Sequence, residues 1–286
     1  MSGRLRGIAD ANARIVMAGA YTTDDGTVVG IDPELAAATS GTVSHPPDGS
    51  LERAATATGH RTSFEVTAER SLAAAQRLHH AGAGQIAVLN FASARNPGGG
   101  YLGGAKAQEE DLCRNALLYP CLLQAPDYYE AHRASRDLLY SHRVIWSPRV
   151  PVHRDDRGRL LNEPYPVSFL TSPAPNAGQV LRRDPSARDR IRRALHERTE
   201  RVLSVAAHHG ARQLVLGAWG CGVFRNDPRE VAAAFHAHLT GGGSFATAFE
   251  RVVFAVWSPS PDSANRDAFA DRFPSADEPG PEPPKV

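Results

Sequence analysis

The run Ile86-Ala87-Val88-Leu89, bounded by Gly84 and Asn90, is too short for a helix and reads as a buried strand. Close behind it comes Asn96-Pro97-Gly98-Gly99-Gly100-Tyr101-Leu102-Gly103-Gly104-Ala105-Lys106-Ala107-Gln108-Glu109-Glu110. Leu112, Ala116, Leu117 and Leu118 then keep a helical spacing that Pro120 is expected to end. Strand, glycine loop and helix in that order make a place to hold a phosphate. Glycines let backbone N–H groups come close to an anion, and the helix start adds unpaired donors and a positive dipole end. No Gly-Lys-Ser/Thr follows, so the loop is not of the nucleoside-triphosphate type, and its spacing does not fit the dinucleotide fingerprint. Glu109 and Glu110 instead stand where a purely anion-binding loop would avoid negative charge. A carboxylate beside a bound phosphate is costly unless it does chemistry, so the pair points to catalysis.

A second unit of the same kind follows the strand Gln213-Leu214-Val215-Leu216: Gly217-Ala218-Trp219-Gly220-Cys221-Gly222-Val223-Phe224. Asp227 suits a helix N-cap, Pro228 the first helical position, and Glu230 the far end of a capping box. Two such units facing one ligand suit a diphosphate held between them.

The remaining chain reads as follows. Arg4 to Ala20 has a helical period that Asn12 interrupts, and Asp24-Asp25-Gly26 predicts a hairpin turn. Residues 39–60 read mostly as loop. Strands are expected at Thr62–Thr67, Arg143–Trp146, Tyr165–Leu170 and Arg251–Val256, and helices at Ser71–His80, weakly at Asp127–Tyr140, at Ser186–His208 and at Ala264–Phe273. Pro173, Pro175 and Asn176 mark a loop. Trp146, Trp219 and Trp257 lie at strand ends and are expected in the core. Strands alternating with helices predict an α/β domain with a largely parallel sheet, whose ligands bind outside the carboxyl ends of the strands. The expected organisation is an extension over residues 1–60 packed on the core, a catalytic domain over 61–273, and a disordered tail over 274–286.

The 286 residues carry 32 Lys plus Arg against 31 Asp plus Glu, so no global basic field draws the chain to nucleic acid. The arginine-dense segment from Arg182 to Arg201 reads as the solvated face of a helix. Cys113, Cys121 and Cys221 form no Cys-x-x-Cys pair, which implies neither a disulfide framework nor a zinc site. No run has membrane-spanning length, and a cytoplasmic monomer without metal or cofactor is expected.

Gly98-Gly99-Gly100, seven residues, then Gln108-Glu109-Glu110 resembles the signature loop of the poly(ADP-ribose) glycohydrolases, the macrodomain hydrolases. The stretch from Val88 to Pro97 is similar to their microbial branch, and the resemblance runs from about Phe64 to Ser258. It implies a macrodomain-like three-layer fold with a mixed, largely parallel central sheet and an N-terminal helical extension. It also implies Glu110 as the acid and Glu109 as a positioner. Gly98, Gly99, Gly100, Gln108, Gly220, Cys221, Gly222 and Val223 would bind substrate, Phe224 would pack by the distal ribose, Asn96 would bond that ribose, and Glu65 would bind the adenine amino group. Asn176 matches an element near the adenine pocket, although a plain loop role explains it too. The implied substrates are poly(ADP-ribose) or ADP-ribosylated macromolecules, and the product is ADP-ribose.

Glycosidases commonly place two carboxylates on opposite sides of the scissile bond. Adjacent helical residues point about 100° apart, which fits one acid/base and one positioning group better. In that scheme Glu110 protonates the 2′-oxygen leaving group and, once ionised, activates water. The family resemblance further implies cleavage from the chain end, with a wall formed by the extension or by residues 264–273. The alternatives are a module that reads ADP-ribose without cutting it, and a hydrolase of another ADP-ribose linkage to protein, nucleic acid or an acetyl ester.

Overall fold

Alternation along the strands decides the layering. Ile86 and Val88 face one core, while Ala87 and Leu89 face the other. The same split recurs between Val215 and its neighbours Leu214 and Leu216, and between Val253 and its neighbours Val252 and Phe254. A sheet apolar on both faces needs helices on both.

The computed structural model describes residues 2–51 and 61–274. The first part holds α1 (Ser2–Ala18), the hairpin β1 (Ala20–Thr22) and β2 (Val28–Gly30), α2 (Asp32–Ser40) and β3 (Val43–His45). Then come β4 (Ser63–Thr67), α3 (Ser71–His80), β5 (Ile86–Phe91), a 3₁₀ turn at Tyr101–Gly103, α4 (Gln108–Asn115), α5 (Leu118–Leu122) and α6 (Pro126–Ala134). The chain continues through β6 (Val144–Arg154), β7 (Leu160–Ser172), α7 (Ala177–Arg183), α8 (Arg188–His208), β8 (Gln213–Leu216), α9 (Pro228–Leu239), β9 (Arg251–Ala255) and α10 (Ala264–Ala270).

The seven-stranded sheet has the order β3-β6-β7-β5-β8-β9-β4. Strands β7, β5, β8, β9 and β4 run parallel, while β6 and β3 are antiparallel additions at one edge. Helices α1 to α6 contribute to one core and α7 to α10 to the other, giving three layers. Because β5 and β8 are neighbours, the loops that follow them open side by side at the carboxyl end of the sheet.

Several expectations need correction. The segment read as loop from residue 39 contains the end of α2 and the strand β3, which pairs with Val144 to Trp146 of β6. The rest of that segment, 52–60, and the expected tail from 275 onward lie outside the described residues. Helix α4 stops at Asn115 rather than at Pro120. Ala116 turns extended and bridges Val152, and the Leu117 N–H donates to Pro151 O at 3.0 Å. Asn12 does not weaken α1: it is buried, and its amide donates to the carbonyls of Arg114 at 2.9 Å and Cys113 at 3.3 Å, filling acceptors that the end of α4 leaves open. Arg198 is not part of a solvated face but is fully buried. Asp227 caps α9 as expected, whereas the Glu230 carboxylate takes the Arg192 guanidinium and completes no capping box. At the end of α8 the His209 ring stacks on Trp146, with centroids 4.5 Å apart.

Candidate active site

The first glycine loop holds carboxylates rather than offering donors to a phosphate. The Ser93 N–H donates to Glu109 Oε2 at 2.7 Å, and Asn90 Nδ2 donates to Oε1 at 3.2 Å. The Gly100 N–H donates to Glu110 Oε1 at 2.8 Å, and the Ala107 N–H donates to Oε2 at 2.9 Å. Glu110 therefore ties the two ends of the loop together from the first turn of α4. The N–H groups of Gly99, Tyr101, Gly103, Gly104 and Ala105 close on carbonyls within the loop itself. Most N–H donors of the predicted anion cradle are thus already taken at this loop.

Gly99 explains how neighbours on a helix reach one point. A Cβ there would stand 2.5 Å from Glu110 Oε1 and 2.9 Å from Glu109 Oε2, and its φ of +58° is in the left-handed region. Both carboxyl groups are buried. Burial pushes Glu109 up to about 8, with the neighbouring Glu110 adding to the rise and the Ser93, Asn90 and Gly98 hydrogen bonds opposing it.

Gln108, expected to bind substrate, is also held by bonds to its own fold. Its Nε2 donates to Leu89 O at 2.8 Å and to Ser71 Oγ at 3.1 Å, and its Oε1 accepts from the Phe91 N–H at 2.9 Å. The amide stitches α4 to the end of β5 much as a strand partner would. Glu65 is not brought to the cleft. It sits two residues short of the end of β4, ion-paired with Arg77 at 2.9 Å and Arg251 at 3.4 Å. Asn96 is exposed at the mouth of the first loop, where its carbonyl accepts the Gly99 N–H at 2.9 Å. Asn176 caps α7 by accepting the Gln179 N–H.

The second loop supplies what the first does not. Among the described residues, the N–H groups of Gly220, Gly222, Val223 and Phe224 have no internal partner, whereas those of Trp219, Cys221, Arg225 and Asn226 do. A Cβ on Gly222 would meet nothing within 4 Å. Burial pushes the Cys221 thiol up to about 12, so it is no nucleophile. A short run of free N–H groups on an exposed loop is a nest for an anion.

Three further features escaped the sequence reading. Tyr140 holds a left-handed backbone (φ 61°), and its ring lies 6.0 Å from that of Phe224. Trp257, expected in the core, is half exposed under the Arg70 guanidinium, 4.4 Å from its centroid. It lines a cavity of about 630 Å³ together with Arg70, Phe91, Gln108, Ala218 and Val256. That volume suits a nucleoside-sized ligand and borders both loops without including the carboxylates. Among the described residues, no group of three or more His, Cys, Asp or Glu is arranged to hold a metal ion, and no helix is long and apolar enough to cross a membrane.

Two strand–loop–helix units side by side, one bearing a buried carboxylate pair and the other free N–H groups, define a macrodomain-like hydrolase. The family described as microbial-type PARG, catalytic domain, matches residues 9–155. The crystal structure of poly(ADP-ribose) glycohydrolase from Thermomonospora curvata is similar at 48% identity, covering 95% of this chain and 100% of that one, with a TM-score of 0.89. The same enzyme bound to the inhibitor ADP-HPD gives 48% identity, the same coverage and a TM-score of 0.87. The Deinococcus radiodurans enzyme in complex with ADP-ribose gives 46% identity over 85% of this chain and 98% of that one, with a TM-score of 0.77. No curated protein sequence matches. The chain belongs to the microbial-type poly(ADP-ribose) glycohydrolases, a family of glycosidases.

Proposed function

We propose that the protein hydrolyses the ribose–ribose bond of poly(ADP-ribose), working from the chain end and releasing ADP-ribose. The observation that carries this reading is the buried pair Glu109 and Glu110, converging on Gly99 beside a loop of free N–H groups. The relatives crystallised with ADP-ribose and ADP-HPD support it. The diphosphate lies on the second loop, the adenosine enters the cavity by Trp257, and the distal ribose rests against Phe224. Glu110 protonates the departing 2′-oxygen, an oxocarbenium-like sugar forms, and ionised Glu110 then takes a proton from the attacking water. Glu109 holds the ribose.

A chain continuing past the bound unit would leave through the adenosine ribose. Leu5 of α1 and Asn265 of α10 border the cavity, which supports a wall from these two elements and cleavage from the terminus. One chain supplies every group in this scheme, so a monomer suffices. Three free thiols suit a reducing compartment such as the cytoplasm.

Product identification with poly(ADP-ribose), mono-ADP-ribosylated protein and O-acetyl-ADP-ribose tests the linkage. A time course resolved by chain length tests the mode. Free ADP-ribose should dominate from the start, and oligomers appearing first would overturn cleavage from the end.

A further inference from the structure

Arg225 follows Phe224 and holds a left-handed backbone, φ 56°, a conformation glycine would adopt without strain and a residue with a Cβ resists. The conformation is fixed from both sides. The buried Asn226 donates to Pro175 O at 2.8 Å and Gly220 O at 3.1 Å, and the Gly178 N–H donates to Phe224 O at 2.9 Å. The Arg225 stem lies flat on Gly178: a Cβ on that glycine would meet Cδ at 3.1 Å, Cβ at 3.3 Å and Cγ at 3.4 Å. Arg182 stands four residues beyond Gly178 on the same face of α7, and both arginines are exposed.

Neither guanidinium has a carboxylate partner among the described residues. The acids closest in sequence are engaged elsewhere, Asp184 with Arg190 at 3.6 Å and Asp227 as the cap of α9. Other exposed arginines of α7 to α9 also lack a carboxylate partner among the described residues, but these two share the Gly178 face, and Arg225 directly follows Phe224 at the end of the cleft.

We propose that Arg225 and Arg182 form an outer anion subsite for the diphosphate of the ADP-ribose unit on the leaving-group side of the scissile bond. This rests on the reading that the distal ribose sits at Phe224, because the next unit then departs past Arg225. Guanidinium forks match paired phosphate oxygens, and an exposed pair of this kind is sensitive to salt. The subsite distinguishes a polymer from a lone ADP-ribose on a small leaving group.

The test compares Arg225→Gly, Arg225→Lys and Arg182→Gln with the parent on poly(ADP-ribose) and on an aryl glycoside of ADP-ribose, which has no diphosphate on the leaving side. Arg225→Gly removes the cation and relaxes the backbone, so it should fold at least as well. Its KM for the polymer should rise about tenfold at low salt, the loss of one charge-assisted contact, with kcat little changed. Arg225→Lys should recover part of this, and aryl glycoside turnover and ADP-ribose affinity should not move. Equal losses on both substrates, or none on the polymer, would overturn the subsite. Single-stranded RNA inhibiting as strongly as polymer of equal phosphate content would overturn its assignment to ADP-ribose chains. If the parent fails to cut poly(ADP-ribose) at all, the proposed function itself has failed, a distinct result.

Discussion

Glu110 lies against the bare α-carbon of Gly99, so close that a Cβ would stand 2.5 Å from its Oε1. The glycine is needed for the enzyme's own carboxylates and not for space around a ligand. Gly99→Ala should displace Glu110, and with it Glu109, while costing about 1–2 kcal/mol for the left-handed backbone. Misplacing an acid by a fraction of an ångström to an ångström should lower kcat about a hundredfold. Steady-state kinetics together with a urea melt separates the two effects, and unchanged kcat in a folded variant would remove the carboxylate role from this glycine.

Glu110→Gln should abolish turnover, by roughly a hundredfold to ten-thousandfold, while ADP-ribose binding survives. The amide keeps one acceptor for Gly100 or Ala107 but loses the other and cannot cycle a proton. Calorimetry showing intact binding alongside intact turnover would exclude Glu110 as the acid. Glu109→Gln should retain more activity.

Much of this site was legible in the sequence, because each glycine unit is local: the strand, the loop, the helix and the Asp227–Pro228 start lie within a few turns of chain. The division of labour between the loops was not. It depends on which N–H groups side chains from α4 reach, a three-dimensional matter. Strand β3, three residues long, exists only through distant pairing with β6. Arg198 could have been found: Ile191, Leu195, Arg198, Val202 and Val205 share one helical stripe, and the other four are apolar and buried. Charge density across that helix hid the one arginine on its inner face. Asn12 likewise falls on the inner stripe of α1 between Ala9 and Ile15, where a polar residue signals a bond to make rather than a flaw.

Arg198 supports the back of the cleft. Its guanidinium donates to Pro173 O at 2.8 Å, Leu139 O at 2.7 Å and Tyr140 O at 2.9 Å, and burial lowers its pKa to about 10, which leaves it charged. Arg198→Leu would strand three carbonyls and should cost roughly 3–5 kcal/mol. It should also free Tyr140 from the left-handed conformation that sets it by Phe224, weakening ADP-ribose binding. Urea unfolding and calorimetry check the two parts; lost stability with full affinity would mean that the Tyr140 loop does not shape the cleft.

Gly222 is the clean probe of the second loop. Nothing lies within 4 Å of a Cβ there and its backbone is unstrained, so Gly222→Leu should fold with little change in melting temperature. A side chain beside the free N–H groups should weaken ADP-ribose binding at least tenfold. A folded variant with unchanged affinity would move the diphosphate elsewhere.

Glu109 makes stability depend on pH in a direction opposite to that of a salt-bridged acid. Its carboxyl ionises near 4.5 in an ordinary setting and at about 8 when folded, chiefly because it is buried. Between those values the native state holds one proton more than the unfolded state, so stability falls as pH rises through that window and levels off above it. The contribution is fully present below 4.5, and by pH 8 roughly 4 kcal/mol of it is gone. Glu109→Gln carries no proton to lose. Its own cost, an amide in place of one oxygen facing the Ser93 N–H or the Asn90 amide, does not vary with pH. Relative to the parent the variant should therefore gain roughly 3.5 kcal/mol between pH 5 and pH 8. Urea unfolding of both proteins at the two pH values, read as a difference, cancels every other titrating group they share. Parallel pH curves would mean that Glu109 is ionised in the native protein at neutral pH and that its burial is compensated by donors beyond Ser93, Asn90 and Gly98.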